Sequence, residues 1–349
     1  MLPPFGWYPA VTHWQFAPVV TVFVVLSAGL YLWGVRRVAR KHPARPWPRW
    51  RTGMFLAGLA VVVLATEGGI GVYDEILFWD HMVQHLMLIM IAPPLLIAGQ
   101  PIILLLHASR NPLHTWAKKA VRSRVVTFLT WPVLGFLAYA GAIAGAHLTG
   151  LASVIEENAV VHNLEHGLFL LVGYLFFLPL LGREPIRWRL SYPIRFVTLV
   201  LVMPVDTFTG LILGYGNAGT PGVPDPAGQP AWAPGLVQDL HWGGAIMWIA
   251  GDALMFGLMM LVFLQWSQDE RDTGRGRGRG WLEQARRANM ARLVTGPDGE
   301  DGPADGSGPD WSSQKSIDDD EHLAAYNAYL ARLNQPKSGH RHEAAPGKH

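Results

Sequence analysis

The chain has 349 residues, of which 50% are hydrophobic in type and only 15% are charged, and its formal net charge is +2. Soluble domains carry about 25% charged residues, and the apolar residues here come in long uninterrupted blocks, so an ordinary soluble domain is excluded. With no cysteine, a disulfide framework and thiolate metal sites are excluded as well.

Stretches of about 20 residues almost free of charge read as membrane helices. Seven such blocks follow one another, at 15–35, 52–72, 77–106, 125–147, 159–181, 195–216 and 240–265. The chain is therefore predicted to be all-α, a polytopic bundle of seven transmembrane helices over residues 1–266. A polar cytoplasmic tail follows at 267–349. The start, MLPPFGWYPAVTHWQF, lacks the basic region of a cleaved signal peptide. Within the third block, Pro93-Pro94 removes two backbone donors, so a kink or stop is expected there. The alternative is a span over 77–92 followed by a re-entrant or interfacial piece over 95–106.

Lys and Arg collect in cytoplasmic loops. The connection VRRVARKHPARPWPRWR is strongly basic, EGGIGVYDE holds only acids, and HASRNPLHTWAKKAVRSR is basic again. The next loop carries Glu156 and Glu157, GREPIRWRLSYPIR has four arginines, and the loop from Asn217 to Gln238 has Asp225 and no base. This alternation predicts an outside N-terminus and a cytoplasmic C-terminus. In the tail, RDTGRGRGRG suits an anionic inner leaflet. WLEQARRANMARLV reads as a short interfacial helix and Ser316–Leu333 as a second helix, with polar Gly-rich sequence between them. No nucleic-acid module is present, and the lipid bilayer accounts for the basic tail.

The histidines concentrate at one depth. His81 and His85 open the third block and His162 and His166 open the fifth, each pair spaced i, i+4 on one helix face. At about 1.5 Å per residue the first of each pair lies roughly 6 Å inside its helix and the second roughly 12 Å. His241 opens the seventh block, and His147 closes the fourth, where it also reads as an interfacial polar residue. Ionisable residues inside a membrane are costly and mark function, and neutral imidazole is the commonest metal ligand. The sequence thus predicts a shared metal site of His81, His85, His162, His166 and His241 in the outer half of the bundle. An imidazole set without thiolate suits copper, zinc or haem iron. Asp80 and Glu165 are expected to orient imidazoles, with Asp206 and His147 as accessory groups. Met82, Met87, Met90, Met203 and Met247 lie nearby, as thioether ligands or as ordinary packing.

The segments HMVQHLMLIMIAPPLLIAGQP, VHNLEHGLFLLVGYLFFLPLLG and DLHWGGAIMWIAGD resemble the CtaG-type cytochrome c oxidase assembly factors over about residues 10–265. The resemblance implies a multi-pass protein of the bacterial plasma membrane that helps to make active terminal oxidase, with an inferred role in supplying copper to oxidase subunits. His81, His85, His162 and His166 are the positions that match. The sequence departs from the family pattern at Phe177-Leu178-Pro179 and at Asp239-Leu240-His241-Trp242. The protein is thus expected to bind and pass on a metal, without enzymatic activity of its own. Three other readings remain. HNLEH fits H-x-x-E-H, which suggests an intramembrane zinc hydrolase using His162, Glu165 and His166. Facing histidines suggest a b-type haem protein, with Gly141, Gly145, Gly167 and Gly173 making room. A scaffold that binds no metal is the last.

Overall fold

A computed structural model describes residues 2–44, 46–149, 151, 158–182, 184–188, 190–216 and 230–271. The tail after residue 271, with its two expected helices, and the loop acids Glu156, Glu157 and Asp225 lie outside the described residues. The described chain is helical, without strands. In chain order the helices are α1 (Trp7–Thr12), α2 (Pro18–Lys41), α3 (Arg49–Thr66), α4 (Gly69–Tyr73) and α5 (Phe78–Leu86). After a π-helical turn at Met87–Ile91 come α6 (Ala92–Ala98), α7 (Pro101–Ala108), α8 (Leu113–Val121), α9 (Arg124–Leu129) and α10 (Pro132–Leu148). Then follow α11 (Ala159–Leu181), α12 (Tyr192–Gly214) and α13 (Leu236–Ala245), the last running through a second π turn at Ile246–Ala250. Among the described residues, six helices are long and apolar enough to cross a membrane: Pro18–Lys41, Arg49–Tyr73, Phe78–Ala108, Val160–Leu181, Tyr192–Gly214 and Leu236–Arg271. The expected seventh, α10, is apolar but shorter.

The core runs along α5, the first π turn and α11. Leu88, Ile89, Met90, Phe169, Phe176, Phe177, Tyr139 and Ile143 are buried in one cluster. Met82 and Met247 belong to the same cluster and Met87 and Met203 pack against it, which accounts for the methionines as packing. Around this axis α11 packs on α6 and α10, α6 on α3, and α13 on α5 and α12.

The expected break in the third span occurs, but not where the prolines stand. Pro93 and Pro94 stand at the start of α6, but Ile91 before them keeps a right-handed helical backbone and the helix runs on through them. The chain enters them through the π turn. Pro93 has no N–H to offer the Ile89 carbonyl, and α11 makes its closest approach at that point. A Cβ on Gly173 would stand 2.2 Å from the Ile89 oxygen and 2.8 Å from Cγ of Pro93. The sharp turn comes later, at Gln100, whose φ of 52° is left-handed, and α7 restarts at Pro101.

Polar groups from other segments cap α7 at both ends. The Glu184 carboxylate accepts hydrogen bonds from the backbone N–H groups of Ile102 (3.3 Å) and Ile103 (3.0 Å). Burial pushes the Glu184 carboxyl up to about 7, against the lowering pull of those hydrogen bonds and of Arg51. Lys41 donates to the carbonyls of Ala108 and Ser109, both at 2.9 Å, at the opposite terminus, where a cation also complements the helix dipole.

Gly173→Ala should therefore force α11 away from the freed carbonyl, with a loss on the order of 1–3 kcal/mol of stability. Gly167, on the same helix, has nothing within 4 Å of a built Cβ, so Gly167→Ala should be neutral. Thermal unfolding of both variants in detergent checks this, and equal stabilities would contradict it.

Candidate metal centre

The first helix of the site has no cap of its own. Leu77 precedes α5 and offers no side-chain acceptor. The Asp239 carboxylate, buried on α13, fills that role: Oδ2 accepts from the Phe78 N–H at 2.9 Å and Oδ1 from the Trp79 N–H at 3.0 Å. This fixes the height and rotation of the turn that carries His81 and His85. On α11, Asn158 caps its own helix, its side-chain oxygen accepting from Val160 and Val161. The next turns present His162 and His166.

Five imidazoles form a contiguous row. His147 lies 4.9 Å from His85 between ring centroids, His85 lies 4.1 Å from His81, His81 lies 5.5 Å from His162, and His162 lies 4.5 Å from His166. Phe169 stacks on His85 at 4.3 Å and closes that face.

The hydrogen bonds fix the tautomers in one half of the row. Nδ1 of His147 lies 2.9 Å from the Ile143 carbonyl. A carbonyl only accepts, so this nitrogen carries the proton and Nε2 of the neutral ring holds a lone pair. That Nε2 lies 3.0 Å from Nδ1 of His85, which must then donate. Nε2 of His85 is left as an acceptor. It is buried, has no hydrogen-bond partner among the described residues, and faces Oε2 of Glu165 at 3.7 Å. Two acceptors facing each other away from water are unfavourable, and a cation between or beside them relieves the conflict.

The other half centres on Asp74. Its Oδ2 accepts from Nε2 of Gln84 at 2.7 Å and lies 3.2 Å from Nε2 of His162 and 4.0 Å from Nε2 of His166. Gln84 is itself anchored, its amide also donating to the Ala65 carbonyl at 2.9 Å. Nε2 of His166 is buried without a hydrogen-bond partner among the described residues.

Two groups could thus hold an ion: His81, His85 and His147, and Asp74, His162 and His166, with donor atoms within 4.8 Å of one another in each. A tetrahedral ion with bonds of about 2.0–2.1 Å to imidazole separates its ligands by about 3.3 Å, so small ring rotations close the second trio, whereas an ion in the first must also break the His85–His147 hydrogen bond to free the Nε2 lone pair of His147. The first is all imidazole. The second adds a carboxylate and is the harder of the two.

The structure brings four of the five expected ligands together and adds His147 and Asp74. His241 stands apart from both groups, exposed on α13 and bonded through Nδ1 to the Val237 carbonyl of its own helix at 2.6 Å. Asp80 is fully buried, and neither of its oxygens takes a hydrogen bond among the described residues. Asp206 lies outside both groups and accepts from the Tyr139 hydroxyl at 3.3 Å to each oxygen. Asp74 went unremarked in the sequence because it stands among other loop acids with no histidine spacing to single it out. Asp239 was visible only as the acid that opens the last span.

Residues 29–269 match the family model for the cytochrome c oxidase caa3 assembly factor (Caa3_CtaG). The chain belongs to this family. Uncharacterized proteins of Mycobacterium bovis and Mycobacterium tuberculosis are each 28% identical to it over 268 residues, which cover 75% of this chain and 40% of theirs. An uncharacterized protein of Mycobacterium leprae is 30% identical over 269 residues, covering 74% of this chain and 40% of its own length. The Caa3_CtaG chain thus spans about two fifths of the curated relatives it matches. No solved structure matches it.

In this Caa3_CtaG protein the two trios should be separable. His147→Phe keeps a ring in place but removes the lone pair of the first trio, and Asp74→Asn removes the anionic ligand of the second. Each should weaken one metal-binding phase by roughly 10–100-fold and leave the other in place, as read by competition with a chromophoric chelator. Loss of neither phase, or of both in each variant, would contradict two distinct trios.

Proposed function

We propose that this member of the caa3 oxidase assembly family receives copper at the histidine row and passes it to subunits of the terminal oxidase. The observation that carries this reading is the pair of buried imidazole nitrogens, Nε2 of His85 and of His166, that have no hydrogen-bond partner among the described residues. Leaving such groups unpaired in an apolar interior costs on the order of 1–3 kcal/mol each. A metal ion is the partner that the chemistry of both nitrogens fits. With no thiolate in the chain, imidazole and carboxylate ligands hold a copper ion without locking it in, which suits cargo that must leave again.

In this proposal α10, preceded by α9, makes the seventh crossing of a bacterial plasma membrane, the N-terminus is outside, and the tail from residue 267 is cytoplasmic. The alternating basic loops support that orientation. It sets the row in the outer half of the bilayer. The protein then acts by ligand exchange and not as an enzyme. The direction of Glu165 supports this over the hydrolase. In an H-x-x-E-H site the acid serves the metal held by its own two histidines, whereas here Glu165 faces His85 of the other trio. The direct His85–His147 hydrogen bond and the Phe169 stack favour a bare ion over a macrocycle between those rings.

Replacing both His81 and His85 by alanine in the host is expected to lower the copper content and the activity of its terminal oxidase while the variant protein still accumulates in the membrane. Oxidase with full copper in that strain would contradict the delivery role.

A further inference from the structure

At the end of α10 opposite His147, about 25 Å along the helix at 1.5 Å per residue, a cleft of about 410 Å³ is lined by Arg122, Arg124, Arg187, Phe128, Trp131 and Trp188. We infer that this cleft is a binding site for the headgroup of an anionic phospholipid.

Three guanidinium groups line the cleft, and among the described residues none of them pairs with a carboxylate. The cleft is built by two segments held to each other. The indole N–H of Trp188 donates to the Thr127 carbonyl at 2.7 Å, which ties the stretch carrying Arg187 to α9. Ser123, between Arg122 and Arg124, caps α9 by accepting from the Val126 N–H at 3.2 Å. The other half of the lining is aromatic. Phe128 is 60% exposed and Trp131 is 39% exposed, immediately before the apolar run of α10 begins at Pro132.

Guanidinium groups recognise phosphate oxygens in a fixed fork. Indole rings favour the level of the headgroups, where one edge is apolar and the other wet. A phospholipid presents both chemistries at that depth, a phosphate for the arginines and glycerol and upper acyl carbons for the rings. Free phosphate shares only the first. The inference does not depend on the histidine row or on its metal.

The test uses the full chain, purified in detergent and stripped of lipid, with phosphatidylglycerol or phosphatidylcholine added in mixed micelles and binding read by native mass spectrometry. Phosphatidylglycerol is expected to bind at least roughly tenfold more tightly, given the attraction of each basic residue to an anionic headgroup. The preference should shrink as salt is raised and vanish in the Arg122→Gln/Arg124→Gln/Arg187→Gln variant, whose thermal unfolding should match the wild type. Equal binding of the two lipids, or a preference that survives high salt in the wild type, would overturn the inference whether or not the variant folds. A preference that survives in the folded triple variant would overturn it too. Displacement of phosphatidylglycerol by an equal concentration of inorganic phosphate would show an anion site with no claim on lipid.

Discussion

The site depends on how the first turn of α5 is satisfied. A helix leaves the backbone N–H groups of its first turn without intrahelical partners, and Leu77, before α5, has no side-chain acceptor to take them. Asp239, reaching across from the last span, accepts two of those hydrogens. The carboxylate therefore binds α13 to α5 and sets the position of His81 and His85. It also occupies the positive end of the helix dipole, so its charge is stabilised where an isolated carboxylate would be expensive. Removing it would orphan both donors and release the turn on which the histidine row is built.

A second constraint works farther along the third span. Pro93 frees the Ile89 carbonyl, and the π turn before it widens the helix at that point. Gly173 lets α11 come against the gap. The close approach of α11 brings His162 and His166 alongside His81. The site is thus the product of two departures from regular helix, a borrowed cap at one end of α5 and a bulged turn at the other. The cap takes N–H groups that any helix leaves free at its start, and the bulge exposes a carbonyl that a regular helix would have paired internally.

Much of this was legible in the sequence. Hydrophobic blocks of membrane length located six helices long enough to cross a membrane, and the block at 159–181 agrees with α11 residue for residue. The two i, i+4 histidine pairs were legible because helix geometry alone puts each pair on one face, and their matched depth predicted that they meet. What remained hidden came from contacts between distant segments. His147 was expected only as an accessory group, because a single histidine at a helix end gives no periodic signal that would make it a ligand. Asp74 is drawn in by Gln84 and by the fold of the short α4 connection, which no spacing rule encodes. His241 shares the depth of the row but faces away from it, because depth fixes height along a helix and not rotation about it. The break in the third span falls at Gln100 and not at the proline pair, because the π turn carries the helix into the prolines and the left-handed residue does the turning.

The central claim is that the row holds copper through imidazole and carboxylate, with no sulfur ligand. X-ray absorption at the copper edge of the loaded protein, recorded beside the His85→Ala variant, tests it most directly. The account predicts a first shell of nitrogen and oxygen atoms at about 2 Å, with the outer scattering pattern of imidazole, lost or halved in the variant. A sulfur shell, or an imidazole signal unchanged by the substitution, would contradict it.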